Sequence, residues 1–125
     1  MTTLQNILKG IRDANLLDRS RVNAGWTDSL APPYVSVTDY SHELTYDTGG
    51  PALKEATFKV LVVERGCDEA ESLAASVDAA VNLDAGLTPT AIGVFQETYK
   101  SSQMDERLYQ WGVEIGYKLT EDLGK

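Results

Sequence analysis

The sequence is poor in the residues that most often carry chemistry: it has one cysteine and one histidine in 125 residues. A lone Cys67 cannot close an internal disulfide, which suits a reducing cytoplasm. A lone His42 leaves a zinc site without its second imidazole, and the step His42-Glu43 is not an H-E-x-x-H motif. No stretch approaches the ~20 consecutive apolar residues of a membrane span. The start, MTTLQNILKGIRD, lacks the basic opening and apolar run of a signal peptide. Basic residues are few, 11 Lys and Arg against 19 Asp and Glu, for a net charge of −8. The deficit is uneven: residues 1–33 hold four basic and three acidic groups, whereas 34–125 hold seven and sixteen. Affinity for phosphate comes from Lys and Arg releasing counterions, so this acidic body is not built to grip nucleic acid.

The motifs of enzymes are missing too. There is no G-x-S-x-G elbow. Gly49-Gly50 lacks the Lys and following helix of a phosphate-binding loop, and a tight turn explains it. The acidic runs Asp68-Glu69-x-Glu71, Asp105-Glu106 and Glu121-Asp122 do not have the spacing of a calcium loop, and solvated charge accounts for them. Cys67 stands near a helix start, where a thiolate is favoured, but no base lies close in sequence. On a strand, Asp39 and Glu43 share a face and His42 takes the other, so the three make no acid–base pair. Tyr99, Tyr109, Trp111 and Tyr117 are interleaved with few basic groups and do not form a nucleic-acid stacking platform. No catalytic residue, metal ligand or cofactor site is expected.

What is present is patterning, and the length fits one domain spanning 1–125. Thr2 or Thr3 caps a helix over about 3–17, with Gln5 as a capping-box partner and Leu4, Ile7, Leu8, Ile11 and Ala14 as its stripe. Gly10 inside it costs about 1 kcal/mol relative to Ala. Residues 18–33 have no period and read as a long loop ending in extended chain at Pro32-Pro33. Trp26 in that loop is either a plug over the core or a contact for a partner. Residues 34–40 alternate as a strand, extended by SHELTYDTGGPAL to a turn at Gly49-Gly50-Pro51. Residues 55–64 form the partner strand. CDEAESLAASVDAAVNL is a helix with a stripe of Ala70, Leu73, Ala74, Val77, Ala80 and Val81, and acidic groups in its first turn complement the helix dipole. Residues 84–91 form a loop, 92–100 a strand, 101–106 a turn, and 107–119 a final strand.

The order helix, strand, strand, helix, strand, strand predicts an α+β domain. Its core is a four-stranded, mainly antiparallel sheet with two helices on one face. In RLYQWGVEIGYKL, Tyr109, Trp111, Val113, Ile115 and Tyr117 belong to the covered face. Gly112, Glu114 and Gly116 belong to the other. Those glycines either let a second chain approach, or fit beneath a residue of the same chain, or relieve sheet twist.

Three stretches carry a resemblance: PPYVSV (32–37), ATFKVLVVERGCDEAESLAASVDAAV (56–81) and the last alternating strand. With the order of elements from about residue 3 to 120, they make the chain resemble the tail-completion proteins of long-tailed phages and gene transfer agents, also called tail terminators or tail-to-head joining proteins. The resemblance implies a virion protein that assembles in the host cytoplasm as a homo-oligomeric ring, usually of six subunits. The ring sits on the head-proximal end of the tail tube, stops its growth and receives the head-closure or connector protein. It implies neither catalysis nor cofactor, and DNA passing through without specific binding. An acidic lumen would repel phosphate and suit such passage. Contact residues are not fixed by a family motif. The candidates chosen from the pattern are Tyr46, Asp47, Gly49, Gly50 and Leu53 at the hairpin tip, taken as a mobile arm, and Gly112, Glu114 and Gly116 on the open face. Alternatives are another neck subunit (head-closure or adaptor), a binding module using its open sheet, or a small oligomeric enzyme joining Asp39, His42 and Cys67 across subunits.

Overall fold

A computed structural model describes residues 2–25, 31–82, 91–105 and 110–123. Helix α1 spans Thr3–Asp13, and the capping box forms: Gln5 N donates to Thr2 Oγ1 at 3.2 Å and Thr2 N donates to Gln5 Oε1 at 2.9 Å. The helix stops four residues short of the expected 17 because Asn15 adopts a left-handed φ of 55°, a conformation that ends helices. Leu16 and Leu17 nevertheless still pack against the core.

A short 3₁₀ turn at Arg19–Arg21 leads into strand β1, Val22–Ala24. Strand β2 spans Tyr34–Asp47, β3 Gly50–Glu64, helix α2 Cys67–Asn82, β4 Ala91–Asp105 and β5 Gln110–Asp122. The sheet order is β1-β2-β3-β5-β4. All neighbours are antiparallel except β1, which runs parallel to β2 through Val22↔Val35 to Ala24↔Val37. The α+β class therefore stands, but the sheet is mixed and five-stranded where four strands were expected. The extra strand was hidden because three residues, VNA, show no alternation. Strand β4 continues through Asp105, so residues 101–105 are strand where a turn was expected. Trp26, Tyr109 and most of the loop 84–91 lie outside the described residues.

One hydrophobic cluster joins both helices to one sheet face. It contains Ile7, Leu8 and Ile11 of α1, Ala70, Ala74, Val77 and Val81 of α2, and Phe58, Val60, Val62, Val113, Ile115, Tyr117 and Leu119 of the sheet. Ala70 and Ala74 are fully buried, and their small side chains let α2 lie close to the strands. Tyr117 donates its hydroxyl to Asp78 Oδ1 at 2.6 Å, which anchors β5 to α2. Thr3 Oγ1 donates to Glu121 Oε1 at 2.9 Å, tying the start of α1 to the end of β5.

Strand β2 switches sides midway. Val35 and Val37 enter the core, and a bulge between Thr38 and Ser41 sets Asp39 and Tyr40 against the single residue Phe58. Asp39 takes φ 53°, which Asp tolerates better than bulkier residues, and Tyr40 rather than Asp39 packs against the core. The sheet's outer face is not bare. Tyr34, Leu61 and Val63 are buried against one another there, and all of residues 34–38 are buried. The run Val60-Leu61-Val62-Val63 carries this signal in sequence, since an unbroken apolar run marks a strand covered on both faces. Two hydroxyls in this region, Ser36 Oγ and Thr38 Oγ1, are buried without a hydrogen-bond partner among the described residues. Thr38→Val keeps the shape and removes an unsatisfied group, so it is expected to raise stability by about 1 kcal/mol, read as a higher urea midpoint at unchanged m.

Candidate interaction surfaces

The residues proposed for chemistry do not converge. Asp39 faces Lys59 at 3.6 Å on the outer face of the sheet. His42 is exposed and rests edge-on to Tyr40, with ring centroids 5.8 Å apart. Pairing with Ala56, inside the core, puts His42 on the helix side, opposite to Glu43, as the alternation predicted. Cys67 Sγ lies 3.5 Å from Glu71 Oε1. Partial burial first, then Glu71 and its acidic neighbours, push this thiol above its ordinary value, so the thiolate favoured by a helix start is not favoured here. No group of three or more His, Cys, Asp or Glu among the described residues is placed to hold a metal ion.

The hairpin tip is more regular than an arm. Asp47 pairs with Gly50, and Gly49 N donates to Asp47 Oδ1 at 2.7 Å, closing a turn over Thr48-Gly49. Gly50, at φ 115°, occupies a conformation that side chains disfavour. Tyr46 pairs with Pro51 across a second irregularity, and it is 65% exposed. Leu53 pairs with Asp122 and is also exposed, and Leu123 N donates to Ala52 O at 2.9 Å, so the end of β5 reaches the base of the tip. The expected contact residues Tyr46, Asp47, Gly49, Gly50 and Leu53 thus share one end of the sheet.

Gly112, Glu114 and Gly116 share its outer face. Glu114 lies 3.5 Å from Lys59, which also faces Asp39. A Cβ added to Gly112 would stand 2.6 Å from Met104 Sδ. One added to Gly116 would meet Thr98 Oγ1, with Thr98 Cβ 3.5 Å away. Side chains of β4 therefore lean over both glycines, and the same-chain explanation suffices for their missing side chains. Each glycine also borders a shallow hollow open to solvent. One, of about 310 Å³, lies beside Asp39, Lys59, Glu97 and Gly116; the other, of about 140 Å³, lies beside Leu61, Lys100, Met104 and Gly112. The two glycines should respond differently to substitution. Met104 can swing its flexible tail, so Gly112→Ala is expected to stay within about 0.5 kcal/mol of the parent. Gly116→Val meets a short β-branched neighbour and is expected to cost about 1–3 kcal/mol in urea unfolding.

Sequence reasoning missed the two borders of the sheet. Strand β1 covers β2 only at Val35–Val37. Among the described residues, no strand pairs with that side of β2 beyond Val37, nor with the outer side of β4. Both borders carry exposed apolar groups: Leu44 and Tyr46 on β2, Phe95 and Tyr99 on β4. Their signal was a strand long enough to outrun its neighbour, which appears only once the register is known.

No family model matches the sequence, and no curated protein matches it. Among solved structures, it is similar to a chain of one described as the virion of a native gene transfer agent particle. The match has a TM-score of 0.71 at 18% identity and covers 93% of this chain and 91% of that one. At this identity the likeness is one of fold.

Proposed function

We propose that the chain is a structural subunit of a phage-like virion and, within it, the subunit that closes the head-proximal end of a tail tube. The observation that carries this reading is the end-to-end overlap with a chain from a gene transfer agent virion, at a TM-score of 0.71. The whole domain is shared, so the likeness is not that of a common motif grafted on different folds. Several copies, six by the family resemblance, assemble into a ring. One rim receives the tail tube protein and stops its polymerisation; the other receives the head-closure or connector protein. The tip residues Tyr46, Asp47, Gly49, Gly50 and Leu53 are proposed contacts with a virion neighbour, as are Gly112, Glu114 and Gly116. The net charge of −8 keeps the ring from holding DNA as it passes. The protein acts by assembly and performs no catalysis.

The test is where the protein sits. An epitope tag on the chain, followed by gold labelling of separated tails and heads, is expected to mark one end of isolated tails. Label confined to heads would assign the protein to a head-closure or adaptor position instead. Label on neither would remove it from the virion.

A further inference from the structure

We infer that a second copy of this chain docks on the outer edge of β4, adding the free part of its own β2 antiparallel to Tyr99–Gln103. The inference rests on the ring reading and names the surface that makes the ring.

Strand direction comes first. The four main strands alternate along β2-β3-β5-β4, so the two borders run in opposite directions. A copy added head to tail therefore continues the antiparallel pattern across the joint, with one border meeting the other. That is a heterologous interface, the kind that closes into rings. Free edges present rows of unpaired N–H and C=O groups that favour such addition.

The neighbour's β1 then sets the register. It fills the slot beside Val35–Val37, so β4 can lie only beyond Thr38. Bulges further limit the regular stretches to Ser41–Thr45 on β2 and Thr98–Gln103 on β4. Aligning Tyr99 with Leu44 of the neighbouring copy clears β1 and uses both stretches. Tyr99 pairs with Ile115 and Leu44 with Lys54, on the helix side of the sheet, and both are exposed, at 50% and 38%. The same alignment sets Lys100 directly opposite Glu43 on the other side. Both are exposed, and neither forms an ion pair with another described residue. Opposite charges facing each other across strands are favourable.

The helices agree. The α1 border, residues 2–25, holds four basic groups (Lys9, Arg12, Arg19, Arg21) against Asp13 and Asp18. The α2 border starts with Glu64, Asp68, Glu69 and Glu71 against Arg65, and Glu71 is held level with Ser101 of β4 by a 2.9 Å hydrogen bond. Thr3 bonds to Glu121, which pairs with Lys54 and so lies level with Leu44. In the proposed register α1 of the second copy starts level with Tyr99 and runs alongside the acidic start of α2. A two-fold β4–β4 pairing would instead bring acidic α2 against acidic α2. Charge thus selects head-to-tail addition.

The test places cysteines at the joint. In a Cys67→Ser background, Lys100→Cys and Glu43→Cys are made singly and together, then treated with a short bifunctional maleimide at high protein concentration and on tail tubes. The double variant is expected to give a ladder of cross-linked species reaching the ring number. Each single variant alone should give no cross-linked dimer, and a mixture of the two should stop at dimers. Dimers from either single variant would overturn the inference in favour of two-fold pairing. Rings visible by electron microscopy without a ladder would overturn the register while leaving the ring reading intact. A chain monomeric in solution and on tubes would overturn both. Charge reversal gives a second readout. Lys100→Glu alone is expected to weaken ring assembly about tenfold, and Glu43→Lys added to it should restore assembly. No recovery in the double reversal would also count against this register.

Discussion

Phe58→Ala is expected to lose about 3–5 kcal/mol of folding free energy, the largest single-residue effect in the domain. Phe58 is 1% exposed and lies under both helices in the one cluster that joins them to the sheet. Its ring stacks on that of Tyr117, with centroids 5.4 Å apart and an interplanar angle of 27°. It also stands opposite the bulge at Asp39-Tyr40, where the neighbouring strand is least able to collapse inward. The cavity should therefore stay open, which is what makes such substitutions costly. Domains of this size have only about 5–15 kcal/mol in total, so the variant should be near its unfolding threshold. Urea titration followed by circular dichroism reads the shift. Phe58→Leu, which keeps most of the volume, should lose less than half as much. Equal losses in the two variants would mean that the site is not close-packed around the aromatic ring.

Alkali should unfold the protein through Tyr117. Its side chain is buried, and burial together with the nearby Asp78 carboxylate raises the phenol far above its ordinary value near 10. The folded state therefore holds the proton more tightly than the unfolded chain does. Its contribution is fully present below about pH 10, the unfolded value, and is lost as pH rises beyond it, at about 1.4 kcal/mol per pH unit. Tyr117→Phe removes this proton and should flatten the stability profile above pH 10. The same variant removes the 2.6 Å hydrogen bond to the Asp78 carboxylate, so at pH 7 it should be less stable than the parent by about 1–3 kcal/mol. The two profiles are expected to cross in the alkaline range. Parallel profiles would assign alkaline loss to other groups.

Much of this fold was legible because its signals are periodic. The capping box at Thr2 and Gln5, the alternation of Val113, Ile115, Tyr117 and Leu119, and the alanine stripe of α2 all stand where the pattern put them. What escaped was aperiodic. A three-residue parallel strand has too few positions to alternate. The bulge at Asp39 changes which residues face inward without any Gly or Pro to mark it. Ser101 and Ser102 read as a turn because they are small and polar, yet Ser101 is a structural bridge that accepts from Trp111 Nε1 at 2.6 Å and donates to Glu71 Oε1 at 2.9 Å. The open-face glycines left a second chain's approach and a same-chain cover both open in the sequence, and only the structure places Met104 and Thr98 of the same chain over them. Borders of a sheet depend on register, so the surfaces proposed for subunit contact could not be read from composition or spacing.

The central claim is that copies of this chain close a tail tube. The most direct measurement is polymerisation of the purified tail tube protein with and without it, viewed by electron microscopy. Tubes grown with the protein should each end in one ring with a central hole and stop lengthening at that end. Tubes that lengthen equally from both ends, with the protein present as free monomers, would contradict it.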